Sequence, residues 1–194
     1  MNVYDFDKTI FNGDSTFRFI LFELRRHPRA LCYLPRIGIA AFIYYALHMG
    51  TKTQFKEKMY SLLKVCDTER DAEAFWKRHI SGIKPFYRRQ HDDSDVIISA
   101  SPEFLLKPLE EKLRVTVIAS RVSPADGKTT GLNCYHQEKV VRFRQQYGEI
   151  RIDSFYSDSY SDEPLALIAE KAFIVDGDRI LPWNYDHHKK RLRT

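Results

Sequence analysis

The 194 residues are enough for one domain, or for one domain with a sizeable insertion. A hydrophobic content of 43% beside 29% charged residues excludes a disordered chain. The net charge is only +5, and much of it lies in the last nine residues, DHHKKRLRT, which we interpret as a solvated terminus. The other basic residues are scattered and no recognition motif occurs, so we predict no nucleic-acid binding.

Three cysteines are widely spaced and form no CxxC pair: Cys32, Cys66 and Cys134. Isolated thiols are typical of proteins in reducing compartments, so we predict free cysteines and a cytoplasmic location. An apolar strand follows Met1 almost directly, without a basic and then apolar leader, so we expect no signal peptide.

Short β-type runs separated by helical patterns extend through most of the chain. The runs fall at residues 3–6, 95–99, 115–119, 150–156 and 172–175. Helical spacing is seen in PEFLLKPLEEKL, YHQEKVVRFRQQY and DEPLALIAEKA. Strands that alternate with helices of this length predict an α/β fold, with a parallel sheet covered by helices on both faces.

The interval between the first and second strands differs, because residues 15–91 carry only helical patterns. Thr53 is predicted to cap one helix there, and Thr68 with Asp71 to form a capping box on the next. This is too much helix for a simple crossover connection. We therefore predict an α/β core domain, residues 1–14 and 92–194, and an inserted helical cap domain, residues 15–91. The cap is expected over the carboxyl edge of the sheet, where ligands of open α/β sheets bind.

One stretch within this interval, residues 31–49, is strongly apolar but is interrupted by Pro35 and Arg36. Its uninterrupted part, residues 37–47, is shorter than the ~20 residues that span a bilayer. A helix buried in the cap is the simpler interpretation. The alternative is an interfacial helix on a membrane, which is favoured by the nearby arginines Arg25, Arg26, Arg29 and Arg36.

Polar groups follow the ends of the first two predicted strands. Asp5 and Asp7 end the first strand, and Ser99, Ala100 and Ser101 end the second. A hydroxyl and free backbone amides just before a helix suit an oxyanion or a phosphate. Each feature alone also has a structural explanation, because Asp and Ser commonly cap turns and helices.

Charged groups follow in the second half of the chain. Lys139 lies near the start of the helix in HQEKVVRF, where a cation opposes the helix dipole and does not stabilise the helix. Asp158 and Asp162 follow the fourth strand. Four carboxylates at one edge repel one another unless a cation compensates. A site of carboxylate oxygens, phosphate and water is typical of Mg²⁺.

The ordered set D-x-D-x-T, a strand ending in Ser, a Lys and then D-x-x-x-D resembles the haloacid dehalogenase (HAD) superfamily of phosphotransferases. The resemblance extends over almost the whole chain. The helical insertion directly after the first motif is similar to the subgroup that contains phosphoserine phosphatase, with its C1-type cap. The resemblance implies a Rossmann-like core and a Mg²⁺-dependent phosphatase.

The resemblance also implies roles for the four aspartates. Asp5 would attack phosphorus and form an aspartyl-phosphate that water later hydrolyses. Asp7 would act as general acid and then as general base. The carboxylates of Asp5 and Asp158 and the backbone carbonyl of Asp7 would bind Mg²⁺, and Asp162 would support the site directly or through water.

The phosphoryl group would be bound by Ser99, the amide of Ala100 and Lys139, as the resemblance implies. Thr9 would brace the turn after the first strand. Lys8 departs from family members that carry Gly at this position.

The substrate stays open at this stage. Phosphoserine phosphatases carry a Glu soon after the first motif and an Arg in the cap, whereas this chain offers Asp14 and the lysines Lys56 and Lys58. An ammonium does not replace the bidentate fork of an arginine, so phosphoserine is disfavoured. Ser101 is a further candidate for substrate contact.

A second resemblance concerns DSTFRFILFELRRHP, the apolar segment, VIASRV, HQEKV and YSDSYSDEPL, which together are similar to the phosphatidylglycerophosphatase C family. It implies a lipid phosphate as substrate and peripheral contact with the inner face of the membrane. A small soluble phosphomonoester is the alternative. A receiver-like phospho-switch and a catalytically silent membrane-binding module are disfavoured, since neither needs Asp7 beside Asp5. The oligomeric state is not predicted.

Overall fold

The computed structural model describes residues 1–183, with the side chain of Lys52 excepted. The basic stretch 186–194, predicted to be a solvated terminus, lies outside the described residues.

A six-stranded sheet with the order β3-β2-β1-β4-β5-β6 forms the centre of the molecule. The first five strands are parallel, and β6 is antiparallel to β5. The predicted α/β class with a parallel sheet is confirmed. The strands are β1 Asn2–Tyr4, β2 Val96–Pro102, β3 Thr116–Ser120, β4 Ile152–Ser157, β5 Ala169–Asp176 and β6 Arg179–Pro182.

The strand β6 was not predicted from the sequence. Its four residues, RILP, are all exposed and include a proline, so they carry no alternating apolar pattern. The strand exists because a turn at Gly177, with φ of +61°, folds it back against the edge of β5.

Helices cover both faces of the sheet. On one face, α8 Gln137–Tyr147 and α9 Glu163–Ala166 pack on alternate residues of the central strands, including Val3, Val96 and Ile98. On the other face, α6 Glu103–Leu106 and α7 Pro108–Leu113 lie with helices from residues 15–90. The central strands are apolar on both sides, as expected for a parallel sheet buried between two layers.

Between β1 and β2 the chain forms helices and short turns of 3₁₀ helix. The helices are α1 Ser15–Arg26, α2 Leu34–Tyr45, α3 Lys52–Tyr60, α4 Thr68–His79 and α5 Pro85–Gln90. The rings of Phe19 on α1 and Phe75 on α4 pack 5.5 Å apart, and Trp76 packs on Phe6 and Phe11 next to the sheet. Helices α1 and α4 thus share one apolar core with the sheet. The limits of a separate cap domain stay a prediction.

The two predicted helix caps are wrong. Thr51, not Thr53, caps α3, and it forms a capping box with Gln54. At the start of α4, Asp67 occupies the N-cap position. The hydroxyl of Thr68 instead donates a hydrogen bond of 2.9 Å to the carbonyl of Pro124, a tertiary contact that the local sequence does not reveal.

The interpretation of residues 31–49 as a buried helix is also wrong. The helix α2 contains no buried residue, and its large apolar side chains are open to solvent, with Ile39 63%, Phe42 60% and Tyr45 65% exposed. Over residues 1–183, no helix combines the length and the apolarity that crossing a bilayer requires.

Candidate active site

Three strand ends meet at the carboxyl edge of the sheet. The central strand β1 leads directly into Asp5, whose amide donates a hydrogen bond of 2.8 Å to the carbonyl of Tyr156 on β4. Ser99 lies in β2 and Asp158 directly follows β4, and both strands are parallel neighbours of β1. The crossover topology therefore brings these three residues to one edge, where ligands of such sheets bind.

Lys139 is the cation at the centre of this edge. Its ammonium lies 2.7 Å from Asp5 Oδ1 and 2.7 Å from Asp162 Oδ2, and its side chain is almost fully buried. Although burial disfavours the ammonium, the carboxylates of Asp5 and Asp162 raise the pKa of Lys139 above its ordinary value. Burial raises the pKa of the Asp5 carboxyl, and the charge of Lys139 opposes that change. Lys139 is thus a fixed positive charge at the predicted nucleophile.

Thr9 links Asp5 to Asp158. Its Oγ1 accepts a hydrogen bond of 2.8 Å from the amide of Asp158 and lies 3.2 Å from Asp5 Oδ2 and 3.4 Å from Asp158 Oδ1. Burial, followed by the negative charge of Asp5, raises the pKa of Asp158 to about 7. Two carboxylates held on one hydroxyl form an oxygen-rich, negatively charged pair.

Asp7 has other hydrogen-bond partners than this pair. Its Oδ1 accepts a hydrogen bond of 2.6 Å from the amide of Ser15, and its Oδ2 accepts one of 2.5 Å from the hydroxyl of Ser101. Burial, followed by the charge of Asp14, raises the pKa of Asp7 to about 6. Asp5 and Asp7 thus have separate surroundings, one beside a buried ammonium and one among neutral donors.

The end of β2 contains two extra residues. Ser99 pairs with Ala119 on β3, but the next register pair joins Pro102 to Ser120, so Ala100 and Ser101 have no opposite partners. Such bulges re-aim backbone groups near sites. Here the Ser99 hydroxyl accepts a hydrogen bond of 3.1 Å from the amide of Ser101.

The two candidate cap lysines have different surroundings. Lys56 on α3 donates a hydrogen bond of 2.8 Å to the carbonyl of Ala100 and another of 3.2 Å to Asn133 Oδ1. Lys58 is exposed and lines a groove between α2 and α3. Asp14 is exposed and caps α1 by accepting from the amide of Phe17 at 2.8 Å. Of the three, only Lys56 touches a residue of the predicted phosphate-binding segment.

The sequence reasoning missed Lys84. Its buried ammonium donates hydrogen bonds of 2.5 Å to the carbonyl of Lys8 and 2.6 Å to that of Gly177. This contact joins the turn after β1, where Lys8 adopts a φ of +60°, to the turn between β5 and β6. Nothing in the local sequence marks a lysine before a helical proline as a site residue.

A cavity of about 720 Å³ opens beside Asp158. It is lined by Lys8, Gly13, Lys84, Tyr160 and Asp176 among others, and Asp158 is its only lining residue from the predicted site among the residues described. Solvent therefore reaches the site from the β4–β5 side.

The residues fit a divalent cation. Asp5 and Asp158 offer carboxylate oxygens on either side of Thr9, the hard ligands that Mg²⁺ prefers. Asp162 is engaged by Lys139 and by the Ser157 hydroxyl at 2.8 Å. The carboxylate of Asp7 is engaged by Ser15 and Ser101. The four aspartates thus form a pair of carboxylates with two supporting residues.

Stability in the presence of a chelator is expected to fall as pH rises. The carboxyl of Asp7 titrates near 6 in the folded chain against 3.8 for an ordinary Asp, so the folded state binds more protons in this interval. Its contribution is complete below about pH 3.8 and is lost as pH rises through 6. Because each pKa unit corresponds to about 1.4 kcal/mol, this difference of about two units corresponds to roughly 3 kcal/mol for Asp7. Urea unfolding at pH 5, 6 and 7 measures it. In the Asp7→Asn variant, the free energy of unfolding should depend less steeply on pH. An unchanged slope would contradict the raised pKa of Asp7.

The sequence matches the haloacid dehalogenase-like hydrolase family over residues 3–167. That range contains the sheet edge with Asp5, Ser99, Lys139 and Asp158. The chain therefore belongs to the haloacid dehalogenase-like hydrolases, and this part of the resemblance is confirmed.

Among curated proteins, the chain is similar to Protein CicA of Caulobacter vibrioides, with 28% identity over 189 residues, 89% of this chain and 84% of that protein. A solved structure of a protein with unknown function from Bordetella pertussis Tohama I has a TM-score of 0.72 and 20% identity, covering 100% of this chain and 95% of that one. A probable phosphoserine phosphatase from Vibrio cholerae has a TM-score of 0.59 and 14% identity, covering 88% of this chain and 55% of that one. At these identities, the solved structures support the fold.

Proposed function

We propose that the protein is a Mg²⁺-dependent phosphomonoester hydrolase that acts through an aspartyl-phosphate on Asp5. The observation that carries the proposal is the placement of Asp5 between the buried ammonium of Lys139 and the hydroxyl of Thr9, with Asp158 beside them. Within a hydrolase family, a carboxylate at the end of the central strand with a fixed cation suits nucleophilic attack on a phosphoryl group.

Asp5 and Asp7 would carry out different steps of the reaction. An oxygen of Asp5 forms a bond to phosphorus while the ester oxygen leaves, and Asp7 gives its proton to that oxygen. A water molecule then attacks phosphorus, Asp7 takes the proton of the water, and the Asp5 carboxylate is released with phosphate. A pKa of about 6 suits Asp7 for both steps, since it can be protonated or ionised near neutral pH.

The remaining residues would bind the phosphoryl group and the cation. Lys139, Ser99 and the amide of Ala100 would bind phosphoryl oxygens. Asp5, Asp158 and the carbonyl of Asp7 would bind Mg²⁺, which when bound neutralises phosphoryl charge. Asp162 would position Lys139, its partner at 2.7 Å.

We further propose that residues 15–91 act as a cap on the core formed by 1–14 and 92–194. The contact of Lys56 with the carbonyl of Ala100 supports this role, since it brings α3 to the predicted phosphate-binding segment. The other face of α3 packs on α2, where the rings of Phe55 and Tyr44 stack 5.5 Å apart. One helix thus separates the exposed apolar helix α2 from the site.

The proposed substrate is a lipid phosphate at the anionic cytoplasmic face of a membrane. The support comes from α2 and its approach, which expose large apolar side chains: Leu31, Leu34, Ile39, Phe42, Ile43, Tyr45, Leu47 and Met49. Arg25, Arg29 and Arg36 beside them are exposed and form no ion pair with any residue from 1 to 183. Apolar side chains rimmed by unpaired arginines suit the headgroup region of an anionic bilayer.

Phosphate release with Mg²⁺ tests both the phosphatase activity and the lipid substrate. The panel contains soluble phosphomonoesters, phosphoserine among them, and phosphatidylglycerophosphate in anionic vesicles. We expect hydrolysis of the lipid in preference to the soluble esters. The double variant Ile39→Asp and Phe42→Asp should lower the rate on vesicles roughly tenfold or more, because it removes two apolar contacts with lipid. Its rate on a soluble ester should not change.

Leu167→Asp is the matched control, because Leu167 is 76% exposed and directly follows α9, which packs on the other face of the sheet. Preference for a soluble ester, or equal effects of the α2 variant on both substrates, would overturn the lipid proposal and leave the phosphatase intact. If no ester released phosphate, the proposed phosphatase activity would be overturned. Vesicle binding without turnover would then favour a silent membrane-binding module.

A further inference from the structure

A second group of metal-ligating side chains lies in the helical insertion, apart from Asp5. Glu23 is on α1, His27 directly follows α1, and Cys66 follows the 3₁₀ turn Ser61–Val65. One ligand atom of each lies within 4.8 Å of the other two. Asp71 on α4 lies beside this group of three, with its Oδ2 2.5 Å from His27 Nε2. Nitrogen, sulfur and oxygen donors from three separate chain segments thus converge.

The burial of the Glu23 carboxylate is not explained by the protein groups that surround it in residues 1–183. The side chain of Glu23 is 0% exposed, and neither of its carboxylate oxygens has a hydrogen-bond partner within residues 1–183. The His27 imidazole is near, with Nε2 at 3.4 Å from Glu23 Oε2, but that nitrogen is already engaged by Asp71. Burying a carboxylate without a partner is costly, so the arrangement calls for a cation at this point.

We propose that Glu23, His27, Cys66 and Asp71 bind one zinc ion. Four protein ligands of mixed nitrogen, sulfur and oxygen type are typical of zinc, which takes tetrahedral sites. Zinc would replace the proton of the Cys66 thiol, which passes to solvent, and it would replace the hydrogen bond between His27 and Asp71.

The charges of the site support this assignment. Two carboxylates and one thiolate carry three negative charges, and a zinc ion together with Arg26 matches them. Arg26 is in place, with its Nε 2.6 Å from Asp71 Oδ1.

A site with four protein ligands leaves no open position for a substrate, so its role is structural. The ion would join α1 to α4 and to the segment that precedes α4. Helices α1 and α4 are the part of the insertion that packs on the sheet. The side chain of His27 is 25% exposed, which gives the ion a path from solvent. The site lies outside the proposed catalytic machinery and does not depend on it.

Cobalt titration of the full chain tests the proposal. Metal-free protein is first saturated with Mg²⁺, which occupies the carboxylate site, and Co²⁺ is then added. Only a bound thiolate gives the near-ultraviolet thiolate-to-cobalt absorption band. We expect this band to saturate at one equivalent and to disappear on addition of Zn²⁺. We also expect Zn²⁺ to raise the midpoint of thermal unfolding.

Two variants and two matched controls assign the ligands. Cys66→Ser should abolish the band, and Glu23→Gln should weaken binding at least about tenfold. Cys32→Ser, at an exposed free thiol, and Glu73→Gln, at a half-exposed carboxylate on α4, should bind like the wild type. Circular dichroism and phosphate release with Mg²⁺ report whether each variant is folded.

The wild-type protein alone can overturn the proposal. Absence of the band together with an unchanged midpoint in Zn²⁺ would mean that no metal binds and that the His27 side chain alone links the two carboxylates. A band that persists in Cys66→Ser would place the metal at another thiol and would also overturn the assignment.

Discussion

Asp5→Asn is expected to lower phosphate release by at least about a thousandfold while leaving the fold intact. Asparagine has the same shape, and its Oδ1 can still accept the hydrogen bond from Lys139, 2.7 Å away in the wild type. It cannot form an aspartyl-phosphate, so the nucleophilic step is lost. Steady-state rates with Mg²⁺ measure the effect, and acid-stable incorporation of labelled phosphate measures the intermediate directly.

Asp93→Asn is the matched control for this variant. Asp93 is an exposed carboxylate paired with Arg114 at the protein surface, and it precedes the amino end of β2, whereas the site lies at the carboxyl edge of the sheet. Its loss should leave turnover and labelling unchanged. An Asp5→Asn protein with normal activity would remove Asp5 as the nucleophile. An inactive Asp5→Asn protein that still incorporates phosphate would place the covalent intermediate on another residue.

Lys139→Met is expected to abolish turnover and to lower the free energy of unfolding by about 3–5 kcal/mol. Methionine fills a similar volume but leaves Asp5 and Asp162 buried without their shared cation. The repulsion between them further raises the pKa of Asp5 and keeps it protonated, which makes it a poor nucleophile. Urea unfolding and phosphate release measure the two effects.

A double variant separates charge balance from catalysis. Adding Asp162→Asn to Lys139→Met removes one of the two unpaired carboxylates, so part of the lost stability should return. Activity should stay lost, because the cation at the phosphoryl group is still missing. Lys112→Met, which breaks a surface pair with Glu73, should change stability by less than about 1 kcal/mol. Equal destabilisation by Lys112→Met and Lys139→Met would contradict the charge-balance argument.

The sequence by itself determined the α/β class and the candidate residues of the site. The apolar runs around Val3, Val96 and Phe155 predict parallel strands, and the carboxyl ends of such strands meet at one edge. Any polar residue directly after these strands, such as Asp5 or Asp158, must therefore lie there. This reasoning needs only element order and period, both of which are local properties of the chain.

Only the tertiary structure decided the direction of individual side chains. Asp5 and Asp7 are two residues apart, yet one contacts Lys139 and the other contacts Ser101. Lys56 and Lys58 are also two residues apart, and positions on a helix separated by two point about 200° apart, so at most one can face the site. Docking of α3 on the end of β2 selects Lys56.

The exposure of α2 and the proposed zinc site do not follow from the sequence, and the reason is the same for both. Apolar composition shows that Ile39 and Phe42 can be buried, but whether another element covers them depends on packing between distant segments. Likewise, Glu23 and Cys66 are separated by more than forty positions, and no spacing rule joins them. Helical period fixes which face of α1 is apolar, whereas the fold determines which side chains are brought to a buried glutamate on that face.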